Sequence, residues 1–375
     1  LKDQSIKVIS PGRVNLLGEH VDYNGGLVLP AAIDRSVTLI SQPRTDNIIS
    51  LFARDFGQRV QFNPSSVVQK QDIQGNPLPT WALYPAGVLW SLSQRGAATP
   101  GIDCNFSSNI PIGAGLSSSA AVEVGFAVLW QTLGGWEMNR LTLAQVCQHA
   151  EREYVGVNCG LMDQFACANG VEGHAVLLDT RSLQFKPVPL PANTAIVIAD
   201  SSIRRSLIGS AYNNRRLDCE TAVKVLQQVF PSIVSLRDVS IGQFLSVRER
   251  LSEGEYKHAR HVVEEIERVN QAMTYLENGE ANKFGKLMFE THASLRDYFE
   301  VSCPELDTLV EIAAGIKGCI GARLTGAGFG GCTVNLVEQS STEEFVTKLI
   351  EQYHNNTSLT ASVFVTHASQ GAHVE

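Results

Sequence analysis

Residues 111–121 read Pro-Ile-Gly-Ala-Gly-Leu-Ser-Ser-Ser-Ala-Ala, and behind them Ala121, Val124, Val128 and Leu129 recur at helical spacing. The segment predicts a loop that feeds straight into a helix over Ser118–Leu133. Gly113 and Gly115 let backbone wrap closely around a bound group, and the serines add donors. A helix start gathers unpaired N–H groups at the positive end of its dipole, so the whole makes an anion site. It is not a Walker A loop, because no Gly-Lys-Ser/Thr follows four residues of spacing. Nor is it a nucleophile elbow, since Gly115-Leu-Ser-Ser-Ser lacks the closing glycine of G-x-S-x-G. The plainer alternative is a Gly/Ser turn that only caps a helix.

Backbone donors matter here because the chain has no basic field. Its 30 Lys and Arg against 38 Asp and Glu give a net charge of −8. That balance argues against a dedicated nucleic-acid or anionic-membrane binder. Any phosphate must be held locally, by amides, a metal or a few placed cations. With 375 residues, 44% hydrophobic and 18% charged, the chain is too apolar for disorder and long enough for two ordinary domains. None of the eight cysteines forms a C-x-x-C pair, so reduced thiols are the default. There is no start methionine, no apolar signal run and no stretch of 18 apolar residues, which makes a trimmed cytoplasmic protein the expectation.

Further along, Thr142 with Gln145 reads as a capping box before a second helix with the stripe Leu143, Cys147, Ala150, Tyr154. Glu151 sits at the edge of that stripe, where a carboxylate points inward and needs a partner such as a cation. Strands and the prolines 187, 189 and 191 mark a domain boundary between about 171 and 194. The second half is helix-rich, with His258–Glu277 placing Val262, Ile266, Val269, Met273 and Leu276 on one face. It closes with an apolar run (Cys319–Leu324), a glycine loop, a strand (Thr333–Val337), a helix over 342–354 and a strand (Ala361–Val365). That order predicts an α+β domain with an antiparallel sheet.

Two more loops carry chemistry. Gly326-Ala-Gly-Phe-Gly-Gly331 satisfies G-x-G-x-x-G, but a strand follows where the dinucleotide fingerprint requires a helix. The expectation is a loop packed against another backbone loop, or a plain hairpin turn. The segment Pro11-Gly-Arg-Val-Asn-Leu-Leu-Gly-Glu-His-Val-Asp gathers Arg13, Glu19, His20 and Asp22, donors and acceptors of the kind a polyhydroxylated ligand requires. Glu19 and His20 could also be read as metal ligands, although the i,i+4 spacing of H-E-x-x-H is missing.

These three loops resemble the three motifs of the GHMP small-molecule kinases. The segment that begins at Pro11 is similar to the galactokinase signature of that family, with Val21 where threonine is usual. The resemblance implies an α+β, two-domain GHMP kinase fold with the active site between domains. Residues 1–190 would form an N-terminal domain like ribosomal protein S5 domain 2, carrying the phosphate loop and sugar signature. Residues 191–375 would form a ferredoxin-like α+β domain carrying the third glycine motif. The implied activity is ATP-dependent phosphorylation of the anomeric hydroxyl of D-galactose, the first committed step of galactose breakdown. A kinase for a related sugar, such as N-acetylgalactosamine or L-arabinose, and a non-catalytic galactose sensor are the alternatives. Partners would be galactose and ATP, without nucleic acid or membrane, in a monomer or weak oligomer.

By position, Gly113, Ala114, Gly115, Leu116, Ser117, Ser118 and Ser119 would hold the ATP phosphates. Ser119 and Glu151 would bind Mg²⁺. Asp163, in Cys159-Gly-Leu-Met-Asp163-Gln, would accept or orient the proton of the sugar hydroxyl; by itself it could equally be a cap or structural hydrogen bonder. Arg13 would lie by the anomeric hydroxyl and the transferring phosphoryl group. Glu19, His20, Asp22, Gly160 and Tyr212 would contact sugar, and Trp81 and Tyr84 resemble the family's aromatic pair near adenine. Arg215 and Arg216 read as surface or ion-paired residues. A carboxylate paired to a guanidinium is a poor base toward an ordinary alcohol, but the anomeric hydroxyl is the most acidic one a sugar has.

Overall fold

The computed structural model describes residues 5–204 and 208–375. A six-stranded sheet runs in spatial order His373–Val374, Ile6–Asn15, Pro30–Pro43, Ile102–Ser108, Ile49–Ala53, Gln58–Phe62. All neighbours are antiparallel except Ile49–Ala53 with Ile102–Ser108. Alternation along Pro30–Pro43 puts Val37 and Leu39 in the core. Across the sheet lies the expected helix, Ser118–Gly134, which ends where Gly135 turns left-handed. Close approach is possible because of Gly125: a Cβ there would come within 2.8 Å of Leu39. A three-stranded sheet of Leu27–Val28, His174–Asp179 and Phe185–Pro189 stands beside it. Pro187 and Pro189 lie in its edge strand, where a missing N–H is tolerated.

The second helix departs from the sequence reading. It runs Arg140–His149, and its cap is Asn139, whose side chain accepts from the Thr142 amide at 2.8 Å. Asn139 has the extended backbone an N-cap needs, so Thr142 lies inside the helix. Beyond His149 the helix widens into a π turn, Ala150–Val155, which buries Glu151 and Tyr154.

A four-stranded antiparallel sheet has the spatial order Cys319–Thr325, Cys332–Glu338, Thr194–Asp200, Ser362–Thr366. Numbered along the chain this is 2-3-1-4, with helices between the first and second strands and Thr342–Thr357 between the third and fourth. That is the split β-α-β-β-α-β arrangement. The long helix Glu253–Glu277 starts at a Ser252–Glu255 capping box and buries Val262, Ile266, Val269, Met273 and Leu276. A domain division at 190–191, proposed from sequence, would run between Phe185–Pro189 and Thr194–Asp200. The chain recrosses it at its end, where His373–Val374 pairs with Ile6–Asn15.

Candidate active site

The strand Ile6–Asn15 slips register between Pro11 and Arg13. Such a bulge re-aims a side chain and frees backbone for another partner. Here the Arg13 amide donates to the Leu116 carbonyl of the phosphate loop at 3.1 Å. A Cβ on Gly12 would sit 2.7 Å from that same oxygen, so only glycine lets the two loops meet. The buried Arg13 guanidinium donates to the Gly115 carbonyl at 2.5 Å and grips Asp163 Oδ1 through Nε at 2.9 Å and Nη2 at 2.8 Å. Asp163 opens the helix Met162–Asn169. Its other oxygen accepts from Ser117 Oγ at 2.6 Å. Ser117 has φ +58° and makes no side-chain cap bond, so its hydroxyl fixes Asp163 while Ser118 and Ser119 begin the helix.

The loop Gly326–Gly331 packs backbone-to-backbone on the loop 111–121, the first of the two arrangements expected for it. A Cβ on Gly326 would lie 2.7 Å from the Gly115 carbonyl, and one on Gly331 2.7 Å from that of Ala114. Arg204 braces the other side, donating to the Ile112 carbonyl at 2.9 Å while paired with Asp200.

Beside this junction is a cavity of about 320 Å³, at the small end of ligand sites. Arg13, Glu19, His20, Asp22, Gly160, Asp163 and Tyr212 all line it, as does Glu151. Glu19 is anchored through Oε2, which takes Arg323 Nη2 at 2.6 Å and the Gly326 amide at 3.1 Å. Burial raises its pKa, and Arg323 and then Arg13 oppose the rise. His20 has φ +62° and packs on Phe299 and Tyr212 at ring distances of 4.6 and 5.5 Å. Burial, then His261, push its pKa down to about 3, so the ring is a neutral donor and acceptor. Asp22 is pushed up to about 7 by burial and next by Asp163. Gly160 is glycine because of Asp22: a Cβ would lie 1.6 Å from Asp22 Oδ2.

Several lining residues escaped the sequence reading, among them Asn158, Met162, Asn213 and Ala327. Asn213 neighbours Tyr212 and Met162 neighbours Asp163, so adjacency was the available signal. Arg215 donates to the Phe299 and Glu300 carbonyls, and Arg216 pairs with Glu220 and reaches Asn158. Trp81 stacks on Phe56 and donates its N–H to Gln58 at 2.8 Å. Tyr84 instead lies within electrostatic reach of Glu151 and Glu123, and burial followed by these carboxylates pushes its phenol up to about 12. Trp81 and Tyr84 therefore have separate surroundings, and neither lines the cavity.

Glu151 accepts from Gln164 Nε2 at 2.5 Å, and Cys159 and Ser119 also hydrogen-bond to it. Burial raises its pKa and those bonds oppose the rise. Among the described residues no three His, Cys, Asp or Glu side chains are arranged to hold a metal by themselves.

Three family profiles match the chain: the GHMP kinases N terminal domain at residues 84–171, the galactokinase galactose-binding signature at 2–43, and the GHMP kinases C terminal domain at 272–355. The chain is 46% identical over 364 residues to a galactokinase from Roseiflexus sp. (strain RS-1), covering 97% of this chain and 91% of that one. It is 42% identical over 377 residues to the Homo sapiens galactokinase, covering 99% and 93%. The crystal structure of Lactococcus lactis galactokinase complexed with galactose superposes with a TM-score of 0.93 at 34% identity, over 99% of this chain and 95% of that one. With the loop 111–121 packed against both the Pro11–Asp22 segment and the Gly326–Gly331 loop, the chain belongs to the galactokinases of the GHMP kinase family.

Proposed function

We infer that the protein transfers the γ-phosphoryl group of ATP to the anomeric hydroxyl of D-galactose, giving galactose 1-phosphate and ADP. The observation that carries this reading is the Arg13–Asp163–Ser117 cluster, which sits where the sugar motif meets the phosphate loop. Phosphoryl transfer has a loose transition state with charge spread over oxygens, so positioning and electrostatics dominate. The backbone of 113–119 would cradle the phosphates. Arg13 would face the charge that develops between the anomeric oxygen and phosphorus. Asp163 would accept the hydroxyl proton late, as the anomeric oxygen bonds to phosphorus and the bond to the ADP oxygen breaks. Glu19, with one oxygen committed to Arg323, would offer the other to a sugar hydroxyl. Neutral His20, Asp22, the Gly160 backbone and Tyr212 would read the rest.

Ser119 and Glu151 would hold Mg²⁺. The donor set fits: a buried carboxylate beside a hydroxyl, facing the cavity, is what this ion takes together with phosphate oxygens and water. When bound it supplies charge neutralisation at the phosphate oxygens. One chain provides every residue named, and Cys104, Cys147, Cys167, Cys219 and Cys332 are buried free thiols, which supports a cytoplasmic setting.

The test of substrate is ADP release with a panel of sugars. Galactose should give the highest kcat/KM. A higher value for N-acetylgalactosamine or L-arabinose would replace galactose as the substrate, and no sugar-dependent ADP release would leave only a sensor.

A further inference from the structure

Behind the phosphate loop lies a buried polar group that the roles above leave unused. Glu123, on the second turn of the helix Ser118–Gly134, is 0% exposed, and so is Gln164, which follows Asp163. Gln164 Nε2 donates to Glu123 Oε2 at 2.9 Å and to Glu151 Oε2 at 2.5 Å. One amide nitrogen thus commits both its hydrogens to two carboxyl groups. Glu123 Oε1 and Gln164 Oε1 have no partner among the described residues.

A carboxyl group here is costly. Its neighbours Val124, Phe126 and Ala127 are all core residues, and an apolar side chain would avoid the desolvation that Glu123 suffers. Burial, and then Glu151, push the Glu123 pKa well above the usual range. What Glu123 does provide is a fixed acceptor. The terminal torsions of Gln and Glu are broad, so an amide with one acceptor, or a carboxylate with one donor, can swing. With Glu123 holding one hydrogen of Gln164, the other is aimed at Glu151.

We propose that Glu123 is a positioning residue which, through Gln164, sets the orientation of the Glu151 carboxylate for the metal–nucleotide complex. The proposal rests on the reading of Glu151 as a Mg²⁺ ligand. Partners that orient a metal ligand without touching the metal typically contribute 10- to 100-fold in metal affinity.

The test compares calorimetric binding of a non-hydrolysable ATP analogue with Mg²⁺ and in EDTA. Glu123→Met and Gln164→Met should each weaken binding of the Mg²⁺ form by roughly tenfold or more. Each should leave the metal-free form within about twofold, and the double variant should lose no more than either single one. Glu123→Gln keeps an acceptor oxygen and should restore Mg²⁺-dependent binding. Equal weakening in both conditions, no weakening, or additive losses would overturn the proposal. If Glu123→Met does not fold, Glu123→Asp decides: one methylene shorter, it should show the same selective loss, and unchanged Mg²⁺ dependence refutes the proposal. Glu151→Gln separates the two levels. If it too shows no Mg²⁺-selective loss, the assignment of Glu151 has failed; if it does and Glu123→Met does not, only the positioning role has.

Discussion

Asp163→Ala should lower kcat by roughly 10² to 10⁴, the usual span for a positioned proton acceptor. The aspartate is held by two groups at once, Arg13 on one oxygen and Ser117 on the other, so its orientation is fixed before substrate arrives. Alanine removes that carboxylate and also leaves Arg13, with 4% of its side chain exposed, without the carboxylate it pairs with. Part of the change will therefore appear as lost stability. Asp163→Asn separates the two effects. It keeps the shape and a hydrogen bond to Ser117, so thermal unfolding should stay nearer wild type while turnover falls as in the alanine variant. Near-normal turnover in folded Asp163→Ala would remove Asp163 from the reaction and leave it a structural partner of Arg13.

Gly160→Ala should cost about 10²-fold in kcat/KM for galactose, the scale of a displacement of about 1 Å at a reacting site. The reason is steric and local. The added Cβ would fall 1.6 Å from Asp22 Oδ2 and 2.2 Å from its Cγ, so either the carboxylate or the Gly160 backbone must move. Asp22 is not free to step aside, because Oδ1 accepts from the Tyr23 amide at 2.9 Å. Backbone strain is not the cause: Gly160 is absent from the left-handed glycines, unlike Gly57 or Gly75, where alanine would meet no atom. If the clash with Asp22 is the mechanism, adding Gly160→Ala to Asp22→Ala should do little further harm. Kinetics of the two single variants and the double variant check this, and a full additional loss in the double variant would contradict it.

The sequence exposed the features whose physics is local. Glycine spacing marked the three loops, and helical spacing placed Glu151 inward ahead of any structural information. The strand after Gly331 ruled out a dinucleotide site, and Cys332–Glu338 is that strand. The cap at Asn139 was missed because Thr142 and Gln145 offered a competing pattern three residues downstream, and sequence does not say which residue takes the extended conformation. The deeper supports were not legible, because their partners meet only in the fold. Glu19 and Arg323 are 304 positions apart, and the Gly18 amide donates to Glu265 across 247. Glu265 did leave a trace. It falls three residues after Val262 and four before Val269, on the buried stripe, where a carboxylate needs a partner. Arg268 is that partner at 2.7 Å, and despite burial it helps hold Glu265 down to about 2. The aromatic cluster of His20, Tyr23, Tyr212 and Phe299 joins three distant segments, and nothing in the sequence spacing brings the four together.

The most direct test of the central claim is ³¹P NMR of the wild-type protein with ATP, Mg²⁺ and galactose. One new phosphomonoester should grow in step with ADP, its phosphorus coupled to the anomeric proton. Phosphate on any other hydroxyl, or ADP accumulating with inorganic phosphate and no sugar ester, would contradict transfer to the anomeric oxygen.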